Sequence, residues 1–136
     1  MDGGRVVVGG QRTVLVMEPY APLRHSLVQL LEEDGYQAVA AAHVDEVLAH
    51  LRTGRPALVL FGTRFPLREG RDFLEQLAQE GGLQRVPVVM LSPRKQWPEG
   101  AADLLEMPFS LEQLRAVVAR HAGWALRAPA ALETPA

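Results

Sequence analysis

Three apolar runs of this chain end in residues that decide what chemistry is open to it. Val14-Leu15-Val16-Met17 runs into Glu18, Val86 to Leu91 runs into Ser92, and Ala57-Leu58-Val59-Leu60-Phe61 runs into Gly62. In an open α/β sheet, such strand ends face the ligand crevice. A carboxylate and a hydroxyl there, helped by backbone carbonyls, could hold a cation such as Mg²⁺ weakly, because that ion is usually bound by one or two carboxylates. Gly62 withholds the rest: without a side chain it cannot be phosphorylated, donate a proton or hold a metal. The neighbouring Thr63 does not replace it, since successive side chains on a strand point to opposite faces and a hydroxyl forms no acyl phosphate. Glu18 is expected to pair with an arginine or to meet water at the mouth of the crevice. Arg64, Arg94 and Lys95 on the surrounding loops are its candidate partners.

Other reactive constellations are thin. His43, Glu46 and His50 share one helical face, opposite Val44, Val47 and Leu51, and that face reads as solvent-exposed surface and not as a metal site. His25 and His121 stand alone on other helices. No nucleophile elbow, Walker loop or glycine-rich dinucleotide fingerprint occurs at a strand-to-helix turn, so hydrolase, NTPase and dehydrogenase readings lack their parts. The chain has no cysteine, which excludes disulfides, thiolate catalysis and Cys-based metal centres. No catalytic residue, metal or cofactor is called for.

The elements that must position these residues follow from the hydrophobic pattern. Strands are predicted at 13–17, 36–41, 57–61, 86–91 and 103–106, alternating with helical periodicity, which is the mark of a parallel sheet covered by helices. Leu23, Leu27, Leu30 and Leu31 form the first helical stripe, with Pro22 in its first turn and Gly35 at its stop. Val44, Val47, Leu48 and Leu51 form the second, and Phe73, Leu74 and Leu77 the third. The last helix opens at Ser110, where a capping box with Gln113 is expected, and closes at Gly123. Between the fourth and fifth strands, Pro93, Pro98 and Gly100 leave room for about one turn at most. A helix there is shortened or absent.

With 136 residues, 48% of them apolar, the chain can bury one core. The expected organisation is a flexible segment at 1–12, one domain at 13–123 and a tail at 124–136. Lys and Arg number 14 against 16 Asp and Glu, a net charge of −2 without a basic block, which argues against nucleic-acid binding. No long apolar span marks a membrane segment, and a cytoplasmic protein is expected. Trp97 and Trp124 are candidate interface anchors by residue type.

Val14-Leu15-Val16-Met17-Glu18, the segment from Leu30 to Tyr36, Arg55-Pro56-Ala57-Leu58-Val59-Leu60, Val86 to Ser92, and Met107-Pro108-Phe109 occur in an order that resembles the receiver domain of bacterial two-component response regulators. The resemblance covers residues 13 to 123. It implies a flavodoxin-like (CheY-like), doubly wound, parallel five-stranded sheet of order 2-1-3-4-5, with its site at the carboxyl ends of the strands. A working receiver needs an aspartate that attacks phosphate, an acidic pair for Mg²⁺, and a lysine and a hydroxyl that bind the phosphoryl oxygens. The resemblance puts the acidic pair on Glu18 and Pro19, the acceptor on Gly62, the hydroxyl on Ser92, the lysine on Met107 and the aromatic switch on Leu104. The nucleophile, one metal oxygen, the cation and the rotor are gone. What it implies is a degenerate receiver that neither takes a phosphoryl group nor binds Mg²⁺, and that meets a protein partner or a second copy through Trp97, Leu104 and Leu105. An alternative is a small-ligand or anion sensor that uses the vestigial crevice.

Overall fold

Burial alternates along the central strands because consecutive side chains leave a strand on opposite sides. Val14 and Val16 enter one core with Leu58, Leu60, Val89 and Leu91, while Leu15 and Met17 enter another with Val59, Phe61, Val88 and Met90. A strand apolar on both faces needs a helical layer on each side. The computed structural model supplies both layers, and it describes residues 12–62, 68–80, 86–93, 95 and 99–123. In chain order the elements are β1 (Thr13–Met17), α1 (Ala21–Glu33), β2 (Gln37–Ala41), α2 (Val44–Thr53), β3 (Leu58–Gly62), α3 (Arg68–Gln79), β4 (Val88–Ser92), β5 (Asp103–Glu106) and α4 (Leu111–Ala122).

All neighbouring strands run parallel, in the order β2-β1-β3-β4-β5. Leu27 and Leu31 of α1 and Leu114, Val117 and Val118 of α4 cover one face. The other is covered by Val47, Leu48 and Leu51 of α2 and Phe73, Leu74 and Leu77 of α3. Phe61 and Phe73 stack with ring centroids 4.6 Å apart, a pairing worth about 0.5–1.5 kcal/mol beyond its buried area.

Local signals set the helix ends. Gly35, at φ 98°, lets α1 stop: its N–H donates to Glu32 O while the N–H of Tyr36 donates to Leu31 O, the paired bonds of a Schellman turn. Ser110 and Gln113 form the expected capping box, with Gln113 N donating to Ser110 Oγ at 3.0 Å and Ser110 N donating to Gln113 Oε1 at 2.8 Å. His43, Glu46 and His50 are exposed, as expected; His43 stands at the N-cap of α2, and Glu46 Oε1 accepts from the N–H groups of Ala42 and His43. These bonds hold the Glu46 carboxyl below the usual carboxylate range. Among the described residues no three His, Asp or Glu side chains gather as metal ligands.

Three strands begin later than predicted. β2 starts at Gln37 because Tyr36 is taken by the turn, while β3 and β4 each reach one residue further, so that Gly62 and Ser92 are strand residues. Of the residues between β4 and β5, those described at 93, 95 and 99–102 contain no helix. Gly100, at φ 99°, turns this connection against Leu74 of α3. Arg12, assigned to the flexible segment, already extends the sheet, its carbonyl accepting from Gln37 N at 2.9 Å. Residues 1–11 and 124–136, including Trp124, lie outside the described residues, as do Thr63, Arg64, Arg94 and Trp97.

Candidate functional site

The carboxyl ends of β1, β3, β4 and β5 are brought together by the sheet register. Met17 lies beside Phe61, Gly62 beside Leu91, and Ser92 beside Glu106. Glu18 follows β1 and donates its N–H to Ala41 O at the end of β2. Met107 follows β5 and donates its N–H to Ser92 O at 2.7 Å. Glu18, Gly62, Ser92 and Met107 therefore lie along one rim of the sheet.

The side chains there depart from a solvent-filled crevice. Glu18 is buried, with 1% of its surface exposed, so it does not meet water at the mouth. Its Oε2 accepts the Tyr20 N–H at 2.8 Å. Its Oε1 occupies the space a side chain on position 62 would need. A Cβ placed on Gly62 would overlap that oxygen and lie 2.9 Å from Glu18 Cδ and 3.3 Å from Met17 O. Only the lack of a side chain at 62 lets the carboxylate lie where it does.

Arg64 and Arg94, two of the expected partners of Glu18, lie outside the described residues, and the arginine that serves the loop backbone is Arg24. Arg24, in the first turns of α1, donates from Nη1 to Glu18 O at 2.7 Å and to Pro19 O at 3.2 Å. The guanidinium fixes the loop backbone, and sequence alone offers no signal for it beyond an arginine near a helix start. Lys95 lies 3.9 Å from Glu106 in an exposed ion pair.

Ser92 is fully buried. Pro19 is exposed and carries no side-chain oxygen. Met107 is half-buried against the core beneath α1 and α4, and its thioether offers no positive charge. Leu104 packs partly buried on the opposite core. Leu105, expected as an exposed contact, is corrected: it is only 5% exposed and belongs to the core under α4. The inward and outward positions of β5 alternate, so two adjacent leucines could not both face a partner.

These residues do not fit a Mg²⁺ site of the kind receivers use. Glu18 is the one buried carboxylate at the rim among the described residues, one of its oxygens accepts from an amide, the other is directed into the Gly62 space, and Glu106 at the end of β5 is exposed and faces Lys95. Mg²⁺ requires near-octahedral oxygen ligation.

A parallel sheet of order 2-1-3-4-5 with helices on both faces defines the flavodoxin-like (CheY-like) fold. Within that class, the chain belongs to the response regulator receiver domain family, which it matches over residues 14–119. It is 33% identical over 110 residues to the phosphate regulon transcriptional regulatory protein PhoB of Escherichia coli, covering 76% of this chain and 48% of that protein. It is 28% identical over 114 residues to the response regulator Rre1 of Synechocystis, covering 78% of this chain and 49% of that protein. The chain thus spans about half the length of these curated relatives. Among solved structures, the chemotaxis protein CheY4 of Vibrio cholerae superposes with a TM-score of 0.72 at 24% identity, covering 82% of this chain and 98% of that one. The receiver domain of the sensor histidine kinase PA1611 from Pseudomonas aeruginosa, which has a magnesium ion coordinated in its active-site cleft, gives 0.71 at 20% identity, covering 83% and 98%. These likenesses share the fold. No helix among the described residues is long and apolar enough to cross a membrane.

Proposed function

We propose that this chain is a phosphorylation-independent receiver, a pseudo-receiver, acting in the cytoplasm as a protein–protein interaction module of two-component signalling. The observation that carries this reading is Gly62 at the end of β3, with the Glu18 carboxylate in the space of the missing side chain. Pro19 and Met107 support it, since neither supplies the oxygen or the charge that phosphoryl transfer to an aspartate would need. A phosphorylation switch needs a ligand that distinguishes two states, and the groups that would make that distinction are missing. An anion sensor is disfavoured because an anion in the crevice would meet the buried Glu18 carboxylate. The partner is a second protein or a second copy of the chain.

Incubation with acetyl phosphate and millimolar Mg²⁺ tests the reading. The intact mass is expected to stay unchanged and the melting temperature to move very little, with capture of a co-purifying partner equal with and without the phosphodonor. One added phosphoryl group on any aspartate, or a saturable Mg²⁺ stabilisation of several degrees, overturns it.

A further inference from the structure

We infer that Glu18 is an internal plug of the crevice, and that Glu18 and Gly62 form one interdependent unit. This deepens the reading above, on which it rests, by naming what holds the retired site in a single state. Three observations converge on the same residue. Glu18 is buried although it is a carboxylate, and such groups are almost never fully buried without compensating partners. Its two oxygens have separate tasks, Oε2 accepting from Tyr20 N and Oε1 filling the volume above Gly62. Its own carbonyl, with that of Pro19, is clamped by Arg24.

The plug spans two strands that are neighbours in the sheet but distant in sequence. A side chain at 62 could enter only if the Glu18 carboxylate swung away. That movement would break the bond to Tyr20 N and force the carboxylate to find new space in a packed rim. Met17 O, a backbone atom at 3.3 Å, must also give by a few tenths of an ångström, whichever residue stands at 18. The Glu18 carboxylate and the Arg24 guanidinium of α1 both hold the loop between β1 and α1, in the place where a receiver's ligands would otherwise set its state. The glycine at 62 and the placement of the glutamate are one structural arrangement: the carboxylate that follows β1 sits in the seat of a side chain on β3.

The test is thermal unfolding of the full chain carrying Gly62→Ala in three backgrounds: Glu18, Glu18→Gln and Glu18→Ala. In the Glu18 and Glu18→Gln backgrounds the methyl group is expected to lower the melting temperature by about 4–8 °C, because both side chains fill the same space. In the Glu18→Ala background the loss is expected to shrink to less than half. Equal losses in all three, no loss in the first, or relief by Gln as complete as by Ala overturns the plug. Should Glu18→Ala not fold, Glu18→Asp, one methylene shorter, takes its place with the same expectation. Intact mass after acetyl phosphate separates the two ideas. An unlabelled chain with equal losses overturns the plug alone, and a labelled chain overturns the retired site.

Discussion

At the amino-terminal end of the sheet, polar side chains tie elements together in reciprocal pairs near solvent. Asp34 at the end of α1 receives Arg115 of α4 through two bonds of 2.8 and 3.0 Å. The Tyr36 hydroxyl donates to Gly123 O at 2.7 Å. Asp103 at the start of β5 meets Arg120 at 2.6 Å and His121 at 2.9 Å. At the carboxyl-terminal end, a single buried carboxylate is bound to a nearby amide and pressed against a glycine. The first end anchors α4 with charges that water can reach, where each pair contributes little by itself. At the second end the Glu18 carboxylate is buried, and there the shape and charge of one side chain act on its surroundings. Stability is shared out at one end and concentrated at the other.

The sharpest way to break this contrast is Gly62→Asp. It sets a second carboxylate against Glu18 in a buried site, and it is expected to lower stability by about 3–5 kcal/mol, the scale of an uncompensated buried charge. Urea unfolding measures it. Labelling by acetyl phosphate is expected to remain weak, because Pro19 and Met107 still supply no metal oxygen and no cation. A Gly62→Asp protein as stable as the parent would erase the difference between the two ends.

A smaller loss is expected at the opposite end. Tyr36→Phe keeps the ring in the core and removes only the bond to Gly123 O, which should cost about 1 kcal/mol. The accompanying fall in melting temperature checks it. Burial, with a lesser effect from the nearby Asp34, raises the Tyr36 phenol above its ordinary value, so this loss should not vary with pH below neutrality.

The smallest effect appears only as a pH dependence. Burial by itself would raise the Asp103 carboxyl, but hydrogen bonds from His121, the Leu104 amide and Arg120 hold it below its ordinary value. A carboxyl depressed in the folded state adds stability above its unfolded value, near pH 4, and that stability is lost as pH falls through the folded value. Asp103→Asn should therefore lower the melting temperature at pH 6, and the gap to the parent should close below about pH 4. A gap that stays constant with pH would mean that Asp103 acts by shape and not by charge.

Much of this molecule is legible in its residue order. Unbroken apolar runs on β1, β3 and β4 announce two buried faces, Gly35 and Gly123 mark helix ends, and Ser110 with Gln113 announces a capping box. The loss of a reactive group at Gly62 is also written in the sequence, since no fold can give a glycine a carboxylate. These features depend on neighbours within one turn or one strand, and backbone geometry repeats there with fixed periods. Only the tertiary structure decided that Glu18 is buried, that its carboxylate fills the Gly62 space, that Arg24 grips the backbone and not the carboxylate, and that Leu105 turns inward. Each of those outcomes depends on which strands lie side by side and in what register, with Met17 set beside Phe61, and on how a flexible side chain settles among atoms contributed by distant parts of the chain.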